Sequence, residues 1–395
     1  MKSAQRILMV GLIAAAMLTI PALAQTSELP RHTESYAWNS GNLDGPVAGP
    51  ITKGTHQLAK ADMIFVPDAH WLRLNFNSAR LGDASYIELT SLLDGGTQRL
   101  DTNTIRHWNY RSAYFNGDAV EIKIFVGAGD RNVSVDIREV TVGEWPNMTK
   151  SICGSADNRT SSNEPRVGRI VPVGCTGWIV DNGKHVTAGH CLSGNNADTL
   201  QFNVPSSNPD RTLNHPGPED QYPIISTSRV YRDRGVGDDW GIFDVNDNSN
   251  TGLQPIDAQN ASFTVVQDLG PSTIRITGFG VDDGSDNQTN QTHSGSNMGS
   301  SGTTMRYNAD TTGGNSGSPV IDGNSSTSVG VHTHGGCSSS GGNNSGTSTF
   351  NSNFWNALTG GGGGGSCSAQ GDSCVVDSDC CSNKCKGKAG AKTCK

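Results

Sequence analysis

The sequence predicts a mostly β protein in three parts: an amino-terminal β-sandwich, a larger second β domain and a small disulfide-rich module at the carboxyl end. Three observations carry this. Apolar residues alternate with polar ones over much of the first third. Gly, Ser, Asn, Asp and Thr are abundant throughout, while long apolar segments with helical period are scarce. All ten cysteines lie from Cys153 onward, six of them in the last 29 residues.

A targeting leader is expected over residues 1–24. Lys2 and Arg6 are followed by an apolar run from Ile7 to Ile20, too short to span a bilayer comfortably. Ala22-Leu23-Ala24 then offers small residues for cleavage before Gln25. The expectation is export, and a chain with no membrane partner after cleavage. About 370 residues would remain, too many for a single compact core. The formal net charge of −8, with no basic stripe, argues against nucleic acid as a partner.

Residues 25–148 contain no cysteine and read as the sandwich, about a hundred residues of strand and turn. Leu72, Leu74 and Phe76 alternate with Arg73 and Asn75. Val120, Ile122, Ile124 and Val126 alternate with Glu121 and Lys123, and Val133, Val135 and Ile137 repeat the pattern. Each run places its apolar side chains on one sheet face. Asp94-Gly95-Gly96 and Asn116-Gly117-Asp118 supply turns. Nothing here looks catalytic. A removable prosegment, an accessory module and a spacer all fit.

Residues 153–359 form the second domain, with strands over Arg169 to Val173 and Thr176 to Val180 and a short closing helix at Asn353 to Leu358. The glycine tract 360–366, ending in Ser366, is a flexible tether. Residues 367–395 are too few to build an apolar core, so disulfides stand in for one. Their six cysteines allow fifteen connectivities.

The second domain holds the chemistry. A serine becomes a nucleophile only when a base takes its proton, an orienting group holds that base, and donors meet the developing oxyanion. Thr187-Ala188-Gly189-His190-Cys191 supplies a histidine among small residues. Asp238-Asp239-Trp240-Gly241-Ile242-Phe243 supplies a carboxylate at a strand start. Gly313-Gly314-Asn315-Ser316-Gly317-Ser318-Pro319 supplies a serine in a glycine-rich turn. These three motifs resemble those of chymotrypsin-like serine endopeptidases, with Gly189 where the usual motif has alanine. The resemblance implies a double β-barrel, catalytic residues His190, Asp239 and Ser316, and an oxyanion hole from the amides of Gly314 and Ser316. It implies protein or peptide substrates and no cofactor or metal. The order His, Asp, Ser and the residue Ser318 disfavour an α/β-hydrolase, whose GxSxG nucleophile precedes its histidine.

The same resemblance implies a Cys175–Cys191 disulfide. The tail resembles inhibitor-cystine-knot miniproteins (knottins), which implies pairs Cys367–Cys381, Cys374–Cys385 and Cys380–Cys394. Parity then leaves Cys153 for Cys337. Cysteine and histidine pairs at zinc spacing are not evident.

Arg169-Ile170-Val171 resembles a trypsinogen activation site. Asn315, however, offers no charge to a buried new amino terminus, so no such switch is expected. The run Gly-Asn-Ser-Gly-Ser-Pro is more similar to the bacterial glutamyl-endopeptidase branch, and two specificities follow. Asp310 stands where trypsin-like enzymes bind Lys or Arg. Thr311 and His332 stand where glutamyl endopeptidases bind an acidic side chain. The balance leans to cleavage after acidic residues. Two other functions remain open: an inactive peptidase scaffold used for binding, and a tail that acts as toxin or inhibitor. Lys384, Lys386, Lys388, Lys392 and Lys395 would suit such a tail to an acidic surface.

Overall fold

The computed structural model describes residues 23–50, 53–144, 150–323, 325–360, 385–387 and 393–394. The sandwich begins at Arg31. One of its four-stranded sheets runs in the order Arg31–Asn39, Ser134–Gly143, Trp71–Arg80 and Phe115–Asn116. The other runs His56–Phe65, Ala119–Gly127, Tyr86–Ser91 and Thr97–Leu100. The alternating residues face each other across the interior. Leu72, Leu74, Val120, Ile122, Ile124, Val133, Val135 and Ile137 are fully buried in one cluster. Each such side chain contributes about 1.5–3 kcal/mol of transfer free energy.

The outer face of the first sheet does not meet water along its whole length. Arg73, a polar position of the alternation, is itself buried. Its guanidinium donates to the Ser112 carbonyl at 2.8 Å, to Tyr114 Oη at 3.0 Å and to Asp198 Oδ2 at 2.7 Å. Asp198 belongs to the second domain, so this face is a seam between domains. Leu29, Trp71, Tyr114, Val171 and Leu213 pack together along it. Tyr114 N–H donates to Gln221 Oε1, and the Gln221 amide donates back to the Tyr114 carbonyl.

The second domain is two curved sheets. A seven-stranded sheet runs Gln221–Pro223, Ala197–Gln201, Val167–Pro172, Cys175–Ile179, His185–Thr187, Asp239–Phe243 and Val230–Asp233. The second closes on itself. Its circuit is Thr327–Gly335, Pro319–Asp322, Thr273–Gly278, Gln291–Ser301, Thr304–Tyr307 and Asn344–Ser348, with the last strand pairing back to the first. A closed barrel has no free edge. The helix Ser352–Thr359 buries Phe354 and Leu358 and is capped by the Asn351 side chain, which accepts from the Asn353 and Phe354 N–H groups. Disulfides join Cys153 to Cys337 and Cys175 to Cys191. No helix among the described residues is long and apolar enough to cross a membrane.

Residues 361–366 of the glycine tether, most of the leader and Cys367, Cys374, Cys380 and Cys381 lie outside the described residues. Of the tail, Cys385–Lys386 and Thr393–Cys394 form a two-stranded ladder with Cys385 opposite Cys394.

Candidate active site

Three elements from two sheets meet at one point. The His185–Thr187 strand leads into a single helical turn, Gly189–Leu192, that carries His190. The Cys175–Cys191 disulfide ties that turn to the neighbouring strand. The turn lies so close to the Val230–Asp233 strand that a Cβ at position 189 would sit 1.8 Å from the Arg232 carbonyl oxygen. This is the physical reason for glycine in place of the usual alanine. Asp239 opens the Asp239–Phe243 strand, whose Gly241 pairs with Thr187, so its carboxylate projects beneath His190. Ser316 comes from the barrel, in the turn before Pro319–Asp322.

The distances define the proton path. Asp239 Oδ2 accepts from His190 Nδ1 at 2.6 Å, and Oδ1 accepts from the His190 backbone N–H at 3.0 Å. With Nδ1 donating, Nε2 carries the lone pair, and it lies 2.8 Å from Ser316 Oγ. Asp239 is fully buried. Asp238 points elsewhere, accepting from Asn351 and Arg232.

Beside the serine, the N–H groups of Gly314 and Ser316 converge on one point, where they both donate to the Gln25 carbonyl oxygen. Gly314 holds φ near +102°, a conformation that glycine reaches without strain and that turns its amide inward. Residues 23–29 therefore belong to this site and not to the sandwich.

The candidate pocket residues part company. His332, on the Thr327–Gly335 strand, is completely buried. Its Nδ1 accepts from the Tyr307 hydroxyl at 2.7 Å, which leaves Nε2–H to donate to the Gln25 side-chain oxygen. Burial pushes the His332 imidazole down to about 3, and burial also holds the Tyr307 phenol well above its usual range. Both stay neutral near pH 7, which preserves this donor relay. Thr311 is buried with its hydroxyl unpartnered. Asp310 turns away. One of its oxygens accepts from Cys153 N–H at 2.7 Å, and the other accepts from the Asn158 backbone and side chain.

Sequence reasoning passed over Gln25, Tyr307 as the partner of His332, and His334. The last sits with its ring 5.9 Å from that of His190 and Nδ1 3.7 Å from Asp239. Burial lowers its basicity. The run His332-Thr333-His334 was the available sign that a second imidazole stands close to His332, although the strand's pairing is irregular between the two.

Residues 175–331 match the family described as the trypsin-like peptidase domain. The chain is a serine endopeptidase. No curated protein matches it. Among solved structures, a Glu endopeptidase in complex with MPD is 20% identical, covers 53% of this chain and 99% of that chain, and has a TM-score of 0.40. The thermostable serine protease AL20 from an extremophilic microorganism is 17% identical over 51% of this chain and 98% of that one, with a TM-score of 0.40. The protease Anisep from Arthrobacter nicotinovorans is 19% identical over 48% and 93%, with a TM-score of 0.37.

In this endopeptidase Ile170 lies in the middle of the Val167–Pro172 strand, paired with Cys175 and Leu200. The adjoining Arg169 is fully buried, donating to Gln201, Gln288 and Asn214. No protease could reach that bond in the folded chain. One group of potential metal ligands among the described residues, Cys175, His190 and Cys191, consists of a disulfide and the triad-like histidine, so no thiolate is present to bind a metal.

Proposed function

We propose that the enzyme hydrolyses peptide bonds of proteins or peptides through an acyl-enzyme, with His190, Asp239 and Ser316 as its triad. It is proposed to work outside the cell and to prefer an acidic residue before the cut. The observation that carries the mechanism is the unbroken chain Asp239–His190–Ser316, at 2.6 and 2.8 Å, ending beside two converging N–H groups. His190 Nε2 takes the Ser316 proton as Oγ attacks the substrate carbonyl. The amides of Gly314 and Ser316 stabilise the oxyanion, a contribution worth about 3–4 kcal/mol per donor in such sites. His190 then gives its proton to the leaving amine, and water resolves the ester. Asp239 holds the Nδ1–H tautomer and stabilises the imidazolium.

The acidic preference rests on the pocket. His332 Nε2–H points into it, the Thr311 hydroxyl has no other partner, and both oxygens of Asp310 are engaged by the 153–158 segment. A carboxylate accepts two hydrogen bonds where a Lys or Arg head offers only donors. Extracellular action is supported by the leader pattern and by two disulfides, which persist in oxidising compartments.

The test is fluorophosphonate labelling and digestion of paired Glu and Arg peptides by the parent and by Ser316→Ala. Labelling of Ser316 alone, loss of about 10⁶-fold in kcat in the variant and faster cutting after Glu are expected. An unlabelled parent would leave a binding scaffold as the reading, and faster cutting after Arg would reverse the specificity.

A further inference from the structure

The segment that enters the cleft is held on both sides of the reacting centre. Leu23 and Ala24 pair antiparallel with Gly335 and His334, at the end of the strand that carries His332. The Gln25 carbonyl oxygen sits between the amides of Gly314 and Ser316, and its N–H donates to Ser316 Oγ at 3.0 Å. Its side chain reaches His332. Beyond the carbonyl, Ser27 N–H donates to the Gly174 carbonyl at 2.9 Å, and Leu29 N–H to the Pro172 carbonyl at 2.8 Å. The approach is close: a Cβ at Gly174 would lie 1.6 Å from the Ser27 carbonyl oxygen. Leu29 is buried in the seam with Trp71 and Tyr114.

A loop that merely wraps a surface has no reason to place one carbonyl oxygen between two N–H donors, beside a hydroxyl already hydrogen-bonded to its base. Strand pairing before that carbonyl and backbone bonds after it fix the register of a bound peptide substrate. We infer that, in a chain still carrying its leader, the Gln25–Thr26 bond, one residue beyond the expected Ala24–Gln25 cleavage, is a self-cleavage site, which the enzyme cuts in cis to leave Thr26 as a new amino terminus. This rests on the triad reading above.

The steps balance within the chain and one water. Ser316 Oγ adds to the Gln25 carbonyl carbon while its proton passes to His190 Nε2. The C–N bond to Thr26 breaks as His190 returns that proton to the Thr26 nitrogen. A water, deprotonated by His190, adds to the ester carbonyl, and the Gln25 carboxylate leaves as Ser316 regains its proton. The cut lies before Arg31, so residues 26–395 remain one chain and the sandwich stays attached, with the bonds of Ser27 and Leu29 to Gly174 and Pro172 on the Thr26 side.

The 395-residue chain, made by cell-free synthesis under oxidising conditions without signal peptidase, provides the test. Its mass and amino-terminal sequence are followed beside its cutting of a short Glu peptide. The parent should convert to a chain beginning at Thr26, at a rate per molecule unchanged by tenfold dilution. Ser316→Ala should keep the bond, and Gln25→Gly, which removes the side chain held by His332, should slow conversion by about tenfold or more. A parent that cuts the Glu peptide yet keeps Gln25–Thr26 whole overturns the inference and spares the triad. So does conversion that slows in proportion to dilution, equal conversion of Ser316→Ala, or an unchanged rate in Gln25→Gly. A parent that cuts neither the peptide nor itself removes the triad reading, and this inference with it.

Discussion

The sandwich and the peptidase domain are both built of antiparallel strands, yet their interiors are of different kinds. The sandwich buries one continuous apolar cluster from Ile64 to Val142. The peptidase domain divides its apolar side chains among smaller clusters, and between them it buries Arg169, Asp239, Asn315, Ser316 and His332. Each buried polar group must find a partner or cost about 1–3 kcal/mol. The sandwich can thus be read as packing optimised for stability. The peptidase interior gives up packing so that donors and acceptors stand at fixed distances, and both disulfides seen among the described residues brace it.

This contrast can be broken most sharply at Asp239. Asp239→Asn should lower kcat by about 10⁴-fold, since Nδ1 then loses the acceptor that fixes its tautomer. The thermal transition of the sandwich should stay where it is, as calorimetry would show. Next comes Ile122→Ala in the sandwich. It should cost about 2–5 kcal/mol in denaturant titration, while kcat of the folded molecules on a short peptide stays at the parent value. If either variant damages the other domain's property, the two interiors act as one cooperative unit. Arg73→Ala probes the seam. It removes the buried cation from Asp198, which keeps the exposed Arg111 and the Thr199 and Tyr114 hydroxyls, and should cost about 1–3 kcal/mol, read as earlier separation of two unfolding transitions.

The contrast also shows as pH dependence. Burial lowers His185 to about 4, His332 to about 3 and His215 well below its usual 6.5. An unfolded chain therefore binds protons that the folded chain refuses. Peptidase stability is full above pH 6.5 and falls as pH drops through the window from 6.5 toward 4, by at most about 1.4 kcal/mol per pH unit for each histidine. In the sandwich the shifted carboxyls among the described residues are Asp62, Asp101, Asp130 and Asp136, all held low by hydrogen bonds from neighbouring groups, which at Asp101 and Asp130 outweigh the opposing effect of burial. Their contribution is present above pH 3.8 and lost below it. Melting curves between pH 7 and 4 should thus show the peptidase transition moving first.

Much of this contrast is written locally in the chain. Alternation such as Val120 to Val126 marks a buried face because side chains alternate across a strand. The glycines around Ser316 mark a turn for the same kind of local reason. What alternation cannot show is the environment of the opposite face. Arg73 looked like an outward residue and is buried, because its face meets the second domain. Gln25 looked like the start of the sandwich and lies in the cleft, because its partners are Ser316 and His332, some three hundred residues away. Asp310 and His332 both sat in pocket positions by alignment. Only the fold shows that one turns to Cys153 and Asn158 and the other to the cleft.

The Cys153–Cys337 bond spans 184 residues of sequence and encloses His190, Asp239 and Ser316 within one covalent ring. A nick in any loop of that ring would open it without shedding a fragment, so the machinery would survive damage that separates a linear chain into pieces. Arg31 to Gly143, with no such bond, enjoys no comparable insurance.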